Sequence, residues 1–174
     1  MLENIFLTGF MGSGKSHWGS VWSKKMGYSF YDLDAQIELA FGMSVEHIFE
    51  KEGEDKFREM ERMYLQKFGN KKGFLLSCGG GTPCFFDNLE WMQNHGIVIY
   101  LKATPDYILK RVIDETAKRP LMKKVNSAEL LFFIESKLKE RETFYNRADF
   151  IFDVEGLTEN SLQDLHTKEK KKHG

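Results

Sequence analysis

A phosphate-binding loop follows the first β-type run of this 174-residue chain. Residues 9–16 read Gly-Phe-Met-Gly-Ser-Gly-Lys-Ser and fit the pattern G-x-x-x-x-G-K-[ST], and the run Ile5-Phe6-Leu7-Thr8 stands directly before them. A strand that ends in a glycine turn and opens into a helix aims successive backbone N–H groups at one point, where the helix dipole also favours an anion. We therefore predict an α/β fold that binds the phosphates of a nucleoside triphosphate.

Two residues of this loop carry the chemistry that the pattern implies. In such loops the lysine, here Lys15, reaches the β- and γ-phosphates of the nucleotide, and the hydroxyl of Ser16 takes a place on Mg²⁺. The sequence thus predicts a bound triphosphate together with its metal. The alternatives are a glycine-rich turn that binds nothing and a loop that is catalytically silent.

Charge and cysteine content narrow the class of partner. With 25 Lys and Arg against 26 Asp and Glu the net charge is -1, so no overall charge recruits DNA or an anionic membrane. Two cysteines are too few for a disulfide framework, and no spacing resembles a set of metal ligands. The first residues show no secretory signal, no run is long enough to span a membrane, and no long apolar stripe demands a partner. We predict a cytoplasmic monomer without nucleic-acid or membrane partners.

Short β-type runs alternate with helical patterns, which indicates βα units and a mainly parallel sheet with helices on both faces. The runs at 4–8, 73–77 and 97–101 are almost continuously apolar, as expected of central strands that are buried on both faces. The predicted fold class is a layered α/β domain. Strands are predicted at 4–8, 28–32, 73–77, 97–102 and 148–154, and helices at 14–25, 34–41, 45–51, 54–68, 105–116, 128–145 and 159–166.

The length suits one domain, because a domain of about 150 residues buries roughly 70% of the surface that its unfolded chain exposes. We assign residues 1–166 to this domain and residues 167–174 to a charged polar tail. A basic, loop-like stretch joins two predicted helices, and we predict a mobile lid there, at about 113–127. Pro120 extends the backbone at Arg119, whose side chain can then stabilise charge on a transferring phosphate. The alternative is a solvated basic loop.

Two carboxylates stand at the end of the second predicted strand. In extended backbone Asp32 and Asp34 project to one side of the chain. Ligands bind at the carboxyl ends of the strands in sheets of this kind, so both carboxylates are expected to face the phosphate loop. One can serve the metal and the other an acceptor hydroxyl. The alternative is that Asp34 merely caps the helix that begins at Ala35.

Two arginines lie at the border of predicted core stripes. Arg58 stands next to a stripe that includes Phe57, and it precedes Glu61 by three residues. Arg141 is in line with a stripe that includes Tyr145. A guanidinium offers parallel donors to a carboxylate or phosphate, so both arginines are candidate anion-binding residues. The alternatives are a solvated ion pair for Arg58 and a side chain that extends to the helix end for Arg141.

Three consecutive glycines, Gly79, Gly80 and Gly81, follow the third predicted strand. They cost conformational entropy that a plain turn does not require, so we expect a ligand to approach the backbone closely there. The alternative is a long bare turn. Cys78 beside them has no local histidine to activate it and receives no role.

These motifs, in this order and with these spacings, resemble the shikimate kinase family over almost the whole chain. The motifs are Gly-Phe-Met-Gly-Ser-Gly-Lys-Ser at 9–16, Asp32-x-Asp34, Phe57-Arg58-x-x-Glu61, Gly79-Gly80-Gly81, Arg119-Pro120-Leu121 and Arg141-Glu142-x-x-Tyr145. The resemblance implies a nucleoside-monophosphate-kinase-like fold with a five-stranded parallel sheet and a mobile lid. It also implies transfer of the ATP γ-phosphate to the 3-hydroxyl of shikimate, with Mg²⁺, in aromatic amino-acid biosynthesis.

The resemblance further implies roles for individual residues. Lys15, Asp34 and Arg119 would be catalytic, with Asp34 orienting or deprotonating the acceptor hydroxyl, and Mg²⁺ would be held by Ser16 directly and by Asp32 through water. The residues implied to bind the nucleotide are Gly12, Ser13, Gly14, Lys15, Ser16, His17, Arg111 and Arg119. Those implied to bind shikimate are Asp34, Arg58, Gly79, Gly80, Gly81 and Arg141, with apolar walls from Val45, Phe49, Phe57, Pro120 and Leu121.

Three other functions compete with this one. Another small-molecule or nucleotide kinase of the same fold would share the phosphate loop, but the arginine pair with the triple glycine suits a small hydroxylated carboxylate. A GTP-dependent switch would usually carry Asn-Lys-x-Asp, and Asn70-Lys71-Lys72-Gly73 lacks the carboxylate. A protein that only binds partners and has lost its catalytic activity would not need intact catalytic residues, and this chain has them.

Overall fold

A computed structural model describes residues 3–117 and 126–163 of the chain. The predicted residues Arg119, Pro120 and Leu121, most of the predicted lid and the polar tail lie outside the described residues. Five strands alternate with six helices in the described ranges. The strands are β1 (Asn4–Thr8), β2 (Ser29–Asp32), β3 (Phe74–Ser77), β4 (Gly96–Lys102) and β5 (Phe150–Asp153), and the helices are α1 (Lys15–Met26), α2 (Leu33–Phe41), α3 (Val45–Gln66), α4 (Asn88–His95), α5 (Pro105–Ala117) and α6 (Ser127–Tyr145).

The five strands form one parallel sheet in the order β2-β3-β1-β4-β5. Leu7 in β1 pairs with Ser77 in β3 on one side and with Ile99 in β4 on the other. The three strands predicted to be central are the three inner strands, and all residues of β1 and β3 are buried. Their apolar runs are explained by helices that cover both faces of the sheet.

Sheet order brings two loops together. Because β1 and β3 are neighbours, the phosphate loop after β1 and the glycine loop after β3 leave the sheet side by side at its carboxyl edge. The backbone N–H of Cys78 donates to the Leu7 carbonyl at 3.0 Å, which extends the ladder to the start of the glycine loop. This edge is where the candidate site lies.

Most predicted elements are confirmed within a few residues, and two differ. The predicted helix at 159–166 is wrong over its described part, where residues 159–162 form turns with i→i+3 bonds such as Gln163 N–H to the Asn160 carbonyl. Helix α4 was not predicted, because only Leu89 and Met92 of its eight residues supply a buried apolar pair. The break predicted between the helices at 45–51 and 54–68 is confirmed: it lies within α3 at Gly53, whose φ of 82° and ψ of 168° are not helical.

No helix in the two described ranges combines the length and the apolar character needed to cross a membrane.

Candidate active site

The phosphate loop forms a cradle at the amino end of α1. Gly12 and Gly14 have φ of 75° and 91°, a region that residues with a Cβ rarely adopt. The Lys15 side chain folds back over the loop, where its Nζ donates to the carbonyls of Gly9 at 2.8 Å and Phe10 at 3.0 Å. The loop is therefore preformed, with the ammonium group of Lys15 held against its backbone.

Lys15 is half-buried in the wall of the cleft. Burial lowers the pKa of Lys15 to about 8, against the opposing charges of Asp34 and Asp32. Lys15 is thus still mainly protonated at pH 7, and a bound polyanion would raise this pKa again.

Asp32 connects the end of β2 to the phosphate loop. Its Oδ2 accepts a hydrogen bond from the Ser16 hydroxyl at 2.8 Å, and its Oδ1 accepts from the backbone N–H of Ala35 at 3.3 Å. Asp32, and not Asp34, is the N-cap of α2, so the capping alternative assigned to Asp34 is wrong. Asp34 lies in the first turn of the helix and is left free to face the cleft.

Asp34 is a half-buried carboxylate with one buried, unsatisfied oxygen. Its Oδ1 is shielded from solvent and accepts no hydrogen bond from any residue in the described ranges. Burial, followed by the charges of Glu61 and Asp32, raises the pKa of Asp34 to about 6, while Lys15 opposes the shift. An unpartnered acceptor with a pKa near neutrality is suited to take a proton or a hydrogen bond from a ligand hydroxyl.

The glycine loop passes close to charged side chains. A Cβ built on Gly79 would lie 2.7 Å from Glu61 Oε1 and 3.0 Å from Asp34 Oδ1. A Cβ on Gly81 would lie 2.6 Å from Arg58 Nη2. The bare-turn alternative is therefore wrong, because the protein's own charged groups leave no room for a side chain at these two positions.

Arg58 is buried in α3 between carboxylates and aromatic rings. Its Nη1 donates to Glu61 Oε2 at 3.0 Å, and its Nε and Nη2 both donate to Glu54 Oε1, at 3.2 and 2.9 Å. The ring centroid of Phe85 lies 4.3 Å from its Cζ. The pair with Glu61 exists as the sequence suggested, but it is buried and not solvated.

Arg141 approaches the glycine loop from α6. It is half-buried, its Nη1 would lie 3.1 Å from a Cβ on Gly80, and its Cζ lies 5.5 Å from the ring centroid of Phe10. The Tyr145 hydroxyl nearby donates to the Gly80 carbonyl at 2.5 Å. No carboxylate within the described ranges forms an ion pair with Arg141, so its charge is available to a ligand.

These groups surround a cleft of about 460 Å³, within the usual size range of small-molecule sites. The predicted residues that line it are Gly12, Gly14, Lys15, Ser16, His17, Asp32, Asp34, Gly79, Gly80, Arg111 and Arg141. Met11, Ser77 and Cys78 also line it. Of the other predicted residues that are described, Ser13, Arg58 and Gly81 are buried just behind the wall.

The outer end of the cleft carries Arg111 and His17. Arg111 in α5 donates from Nη1 to the Tyr107 hydroxyl at 3.0 Å, and the same nitrogen would lie 3.7 Å from a Cβ on Gly14. The ring of His17 contacts Trp18 edge-on at 5.1 Å between centroids. Both residues therefore lie next to the phosphate loop and line the cleft.

Two residues of the site escaped the sequence analysis. Glu54 could have been found, because it precedes Arg58 by four residues on the same helix. Thr82, which donates to Glu61 at 2.5 Å, is separated from it by 21 residues and left no signal in the sequence.

Comparison with known proteins agrees with this geometry. A sequence model of the family described as shikimate kinase matches residues 11–168. A shikimate kinase of Parabacteroides distasonis is 40% identical over 165 residues, which cover 94% of this chain and 95% of that protein. One from Azobacteroides pseudotrichonymphae is 39% identical over 162 residues, covering 92% and 95%.

Solved structures show the same likeness. The crystal structure of shikimate kinase from Bacteroides thetaiotaomicron matches with a TM-score of 0.89 at 35% identity, over 97% of this chain and all of that one. Shikimate kinase from Acinetobacter baumannii, solved in complex with shikimate, matches with a TM-score of 0.82 at 31% identity, covering 99% and 97%. Three findings agree with the phosphate loop, the carboxylates and the arginines of the cleft: the family match over residues 11–168, the relatives near 40% identity and these solved structures. The chain therefore belongs to the shikimate kinase family.

Proposed function

We propose that the protein transfers the γ-phosphoryl group of ATP to the 3-hydroxyl of shikimate, giving 3-phosphoshikimate and ADP. The observation that supports this most directly is one cleft in which three groups meet: a phosphate loop, a half-buried carboxylate with an unsatisfied oxygen, and a half-buried arginine without an ion-pair partner among the described residues. A phosphate donor can enter on one side of Asp34 and a hydroxylated carboxylic acid on the other.

On the donor side, Gly12 to Ser16 would hold the phosphates through backbone N–H groups and Lys15. Arg111 and His17, at the outer end of the cleft, would contact the rest of the nucleotide. We propose that Arg119 acts from the lid as a catalytic arginine, and the Arg-Pro-Leu motif supports this role.

The oxygens of Ser16 and Asp32 fit a magnesium ion. They lie 2.8 Å apart beside the phosphate loop, and a hydroxyl with one carboxylate is a usual protein contribution to Mg²⁺, which also takes ligands from phosphates and water. We propose that these two residues hold the metal, which neutralises charge on the phosphates when bound. The described ranges contain no group of three or more His, Cys, Asp or Glu residues that could bind a metal by themselves.

On the acceptor side, Arg58 and Arg141 would bind the carboxylate of shikimate. A guanidinium has five N–H donors, and the bonds to Glu54 and Glu61 use three of those of Arg58, which leaves two. Arg141 adds a second guanidinium near Gly80. The backbone N–H groups of Gly79, Gly80 and Gly81 would approach the substrate, and Val45, Phe49 and Phe57 would contribute apolar contacts.

The chain has little covalent chemistry to perform in such a reaction. Asp34 would align the 3-hydroxyl and accept its proton as the oxygen attacks the γ-phosphorus, while Lys15 stabilises the charge that develops on the phosphoryl oxygens. Alignment and fixed charge therefore supply most of the rate enhancement, and exclusion of water limits hydrolysis of ATP.

We expect kcat/KM for ATP at low shikimate to show a bell-shaped pH profile with limbs near pH 6 and pH 8. Asp34, with a pKa of about 6, must be deprotonated, and Lys15, with a pKa of about 8, must be protonated. In the ternary complex the triphosphate raises the pKa of Lys15, so the alkaline limb of kcat should move upward. Profiles that are flat from pH 5 to 9 would contradict these assignments.

Arg141→Met should raise the KM for shikimate by about 10- to 100-fold with little change in kcat, since a hydrogen bond to a charged group contributes about 1.5–3 kcal/mol. Methionine keeps an apolar stem near Phe10 and leaves no buried carboxylate unpaired. Steady-state kinetics with each substrate varied give the measurement. Arg147→Met, which removes a surface pair with Glu90, is the matched control and should leave this KM unchanged.

The decisive experiment measures ADP release from Mg-ATP with and without shikimate, coupled to NADH oxidation, in the wild-type protein and in Asp34→Asn. If shikimate stimulates ADP release in the wild-type protein but not in the variant, the result supports both shikimate as the acceptor and the role of Asp34. If ATP binds but shikimate has no effect, the acceptor is wrong, and other hydroxylated carboxylates and nucleoside monophosphates should be screened for a kinase of the same fold.

We also propose that the protein acts as a monomer in the cytoplasm. The near-neutral charge and the two unpaired cysteines, Cys78 and Cys84, support this. Size-exclusion chromatography with light scattering gives the oligomeric state directly.

A further inference from the structure

Thr82 is a buried residue directly after the glycine loop. Its Oγ1 donates to Glu61 Oε1 at 2.5 Å. The backbone on both sides of this hydroxyl is fixed, because the Thr82 N–H donates to the Gly79 carbonyl at 3.1 Å and its carbonyl accepts from Asn88 Nδ2 at 3.0 Å. The position of the hydroxyl is therefore set by the loop.

Glu61 receives one bond on each oxygen. Its side chain is fully buried, Oε1 accepts from Thr82, and Oε2 accepts from Arg58 Nη1 at 3.0 Å. Burial raises the pKa of Glu61, while Arg58 and the Thr82 hydroxyl favour the charged form. A buried carboxylate is tolerated only while such partners satisfy it, so the hydroxyl holds Glu61 both charged and in place.

The orientation of Arg58 depends in turn on Glu61. Nη1 is fixed by Glu61, whereas Nε and Nη2 bind Glu54, which is half-exposed at the surface. The buried bond to Glu61 is thus the rigid one of the two anchors. It sets the direction of the two N–H groups that remain for a ligand.

We propose that Thr82 is a positioning residue for recognition of the acceptor's carboxylate, acting through Glu61 on Arg58. This rests on the proposed function, in which Arg58 binds shikimate. The hydroxyl does not touch the ligand. It keeps the buried Glu61 carboxylate in the orientation that fixes Arg58 just behind the wall of the cleft.

Thr82→Val tests this, because valine has nearly the same shape and lacks only the hydroxyl. We expect the KM and the calorimetric Kd for shikimate to rise roughly tenfold, the scale of one hydrogen bond to a charged group, while kcat and the KM for ATP change less than about twofold. Thr82→Ser, which restores the hydroxyl, should return shikimate affinity to near the wild-type value.

Thr8→Val is the matched control. Thr8 is equally buried and its hydroxyl donates to the Ile99 carbonyl at 3.3 Å, away from Glu61, so this variant should keep the wild-type KM for shikimate. If Thr82→Val does not fold by circular dichroism, Thr82→Ala replaces it with the same expectation.

An unchanged shikimate KM in Thr82→Val or its alanine replacement, or a serine variant as weak as the valine variant, overturns the proposal. A general loss of kcat in the valine variant that serine does not restore also overturns it, because that result indicates a merely structural role. If the wild-type protein itself shows no shikimate-dependent ADP release, the proposed function is wrong and this inference is withdrawn with it.

Discussion

Lys15→Met abolishes turnover and leaves the chain folded: we expect kcat to fall by about 10³-fold or more, the scale on which a fixed charge acts at a transferring phosphoryl group. The ammonium group lies at the centre of the phosphate loop, and methionine matches its stem without the charge. Folding should survive, because burial already disfavours the charged lysine. The coupled assay measures the loss, and thermal unfolding by circular dichroism measures the stability.

The control for this prediction is Lys24→Met on the same helix. Lys24 is exposed in the last turn of α1, far along the helix from the loop, so its loss should change kcat by less than about twofold. A folded Lys15→Met protein that keeps near-normal turnover would falsify the assigned role of the loop.

We expect Asp34→Asn to have the second large effect: it should lower the turnover and raise the stability of the fold. Turnover should fall by about 10²- to 10⁴-fold, since an amide cannot accept the proton of the 3-hydroxyl. The folded pKa of about 6 lies above the ordinary value of 3.8, so the fold loses stability as pH rises from about 4 to about 6, the range in which the folded protein still binds a proton that the unfolded chain has released. At pH 8 the variant should therefore be more stable than wild type, by up to about 3 kcal/mol.

Below the unfolded pKa, at about pH 3, both proteins carry a neutral group at this position and the stability difference should vanish. Urea unfolding at about pH 3 and about pH 8 measures this. Asp55→Asn, at an exposed position of α3, removes the same charge without burial and should show neither effect. An Asp34→Asn variant that is less stable than wild type at pH 8 would show that the carboxylate is stabilised in the fold and not strained.

The opposite signs have one physical cause. Three features disfavour the charged form of Asp34: its partial burial, the nearby charges of Glu61 and Asp32, and its unsatisfied Oδ1. The hydroxyl of a reacting substrate would satisfy this carboxylate. The charged form of Asp34 therefore lowers the stability of the unliganded protein, as groups in functional sites often do.

The sequence alone determined the layered architecture and the location of the site. Continuous apolar runs identify β1, β3 and β4 as inner strands because a strand covered on both faces has no polar side. The phosphate-loop pattern and the spacing of Asp32 and Asp34 follow from local backbone geometry, which neighbouring residues fix. Helix α4 was missed because its two buried apolar residues are too few for a periodic signal.

Only the tertiary structure decided how the charges are satisfied. Three features depend on contacts between separate elements. Asp32 caps α2 and also accepts a hydrogen bond from the Ser16 hydroxyl. The glycine loop packs against Glu61 and Arg58, and Thr82 donates to Glu61, a carboxylate 21 positions away. The free energy of a buried charge depends on which partners lie within hydrogen-bond distance, and that distance is set by packing across the sheet edge. Residue order therefore identifies the groups of the site, whereas their pKa values and orientations arise when β1 and β3 bring the two loops together.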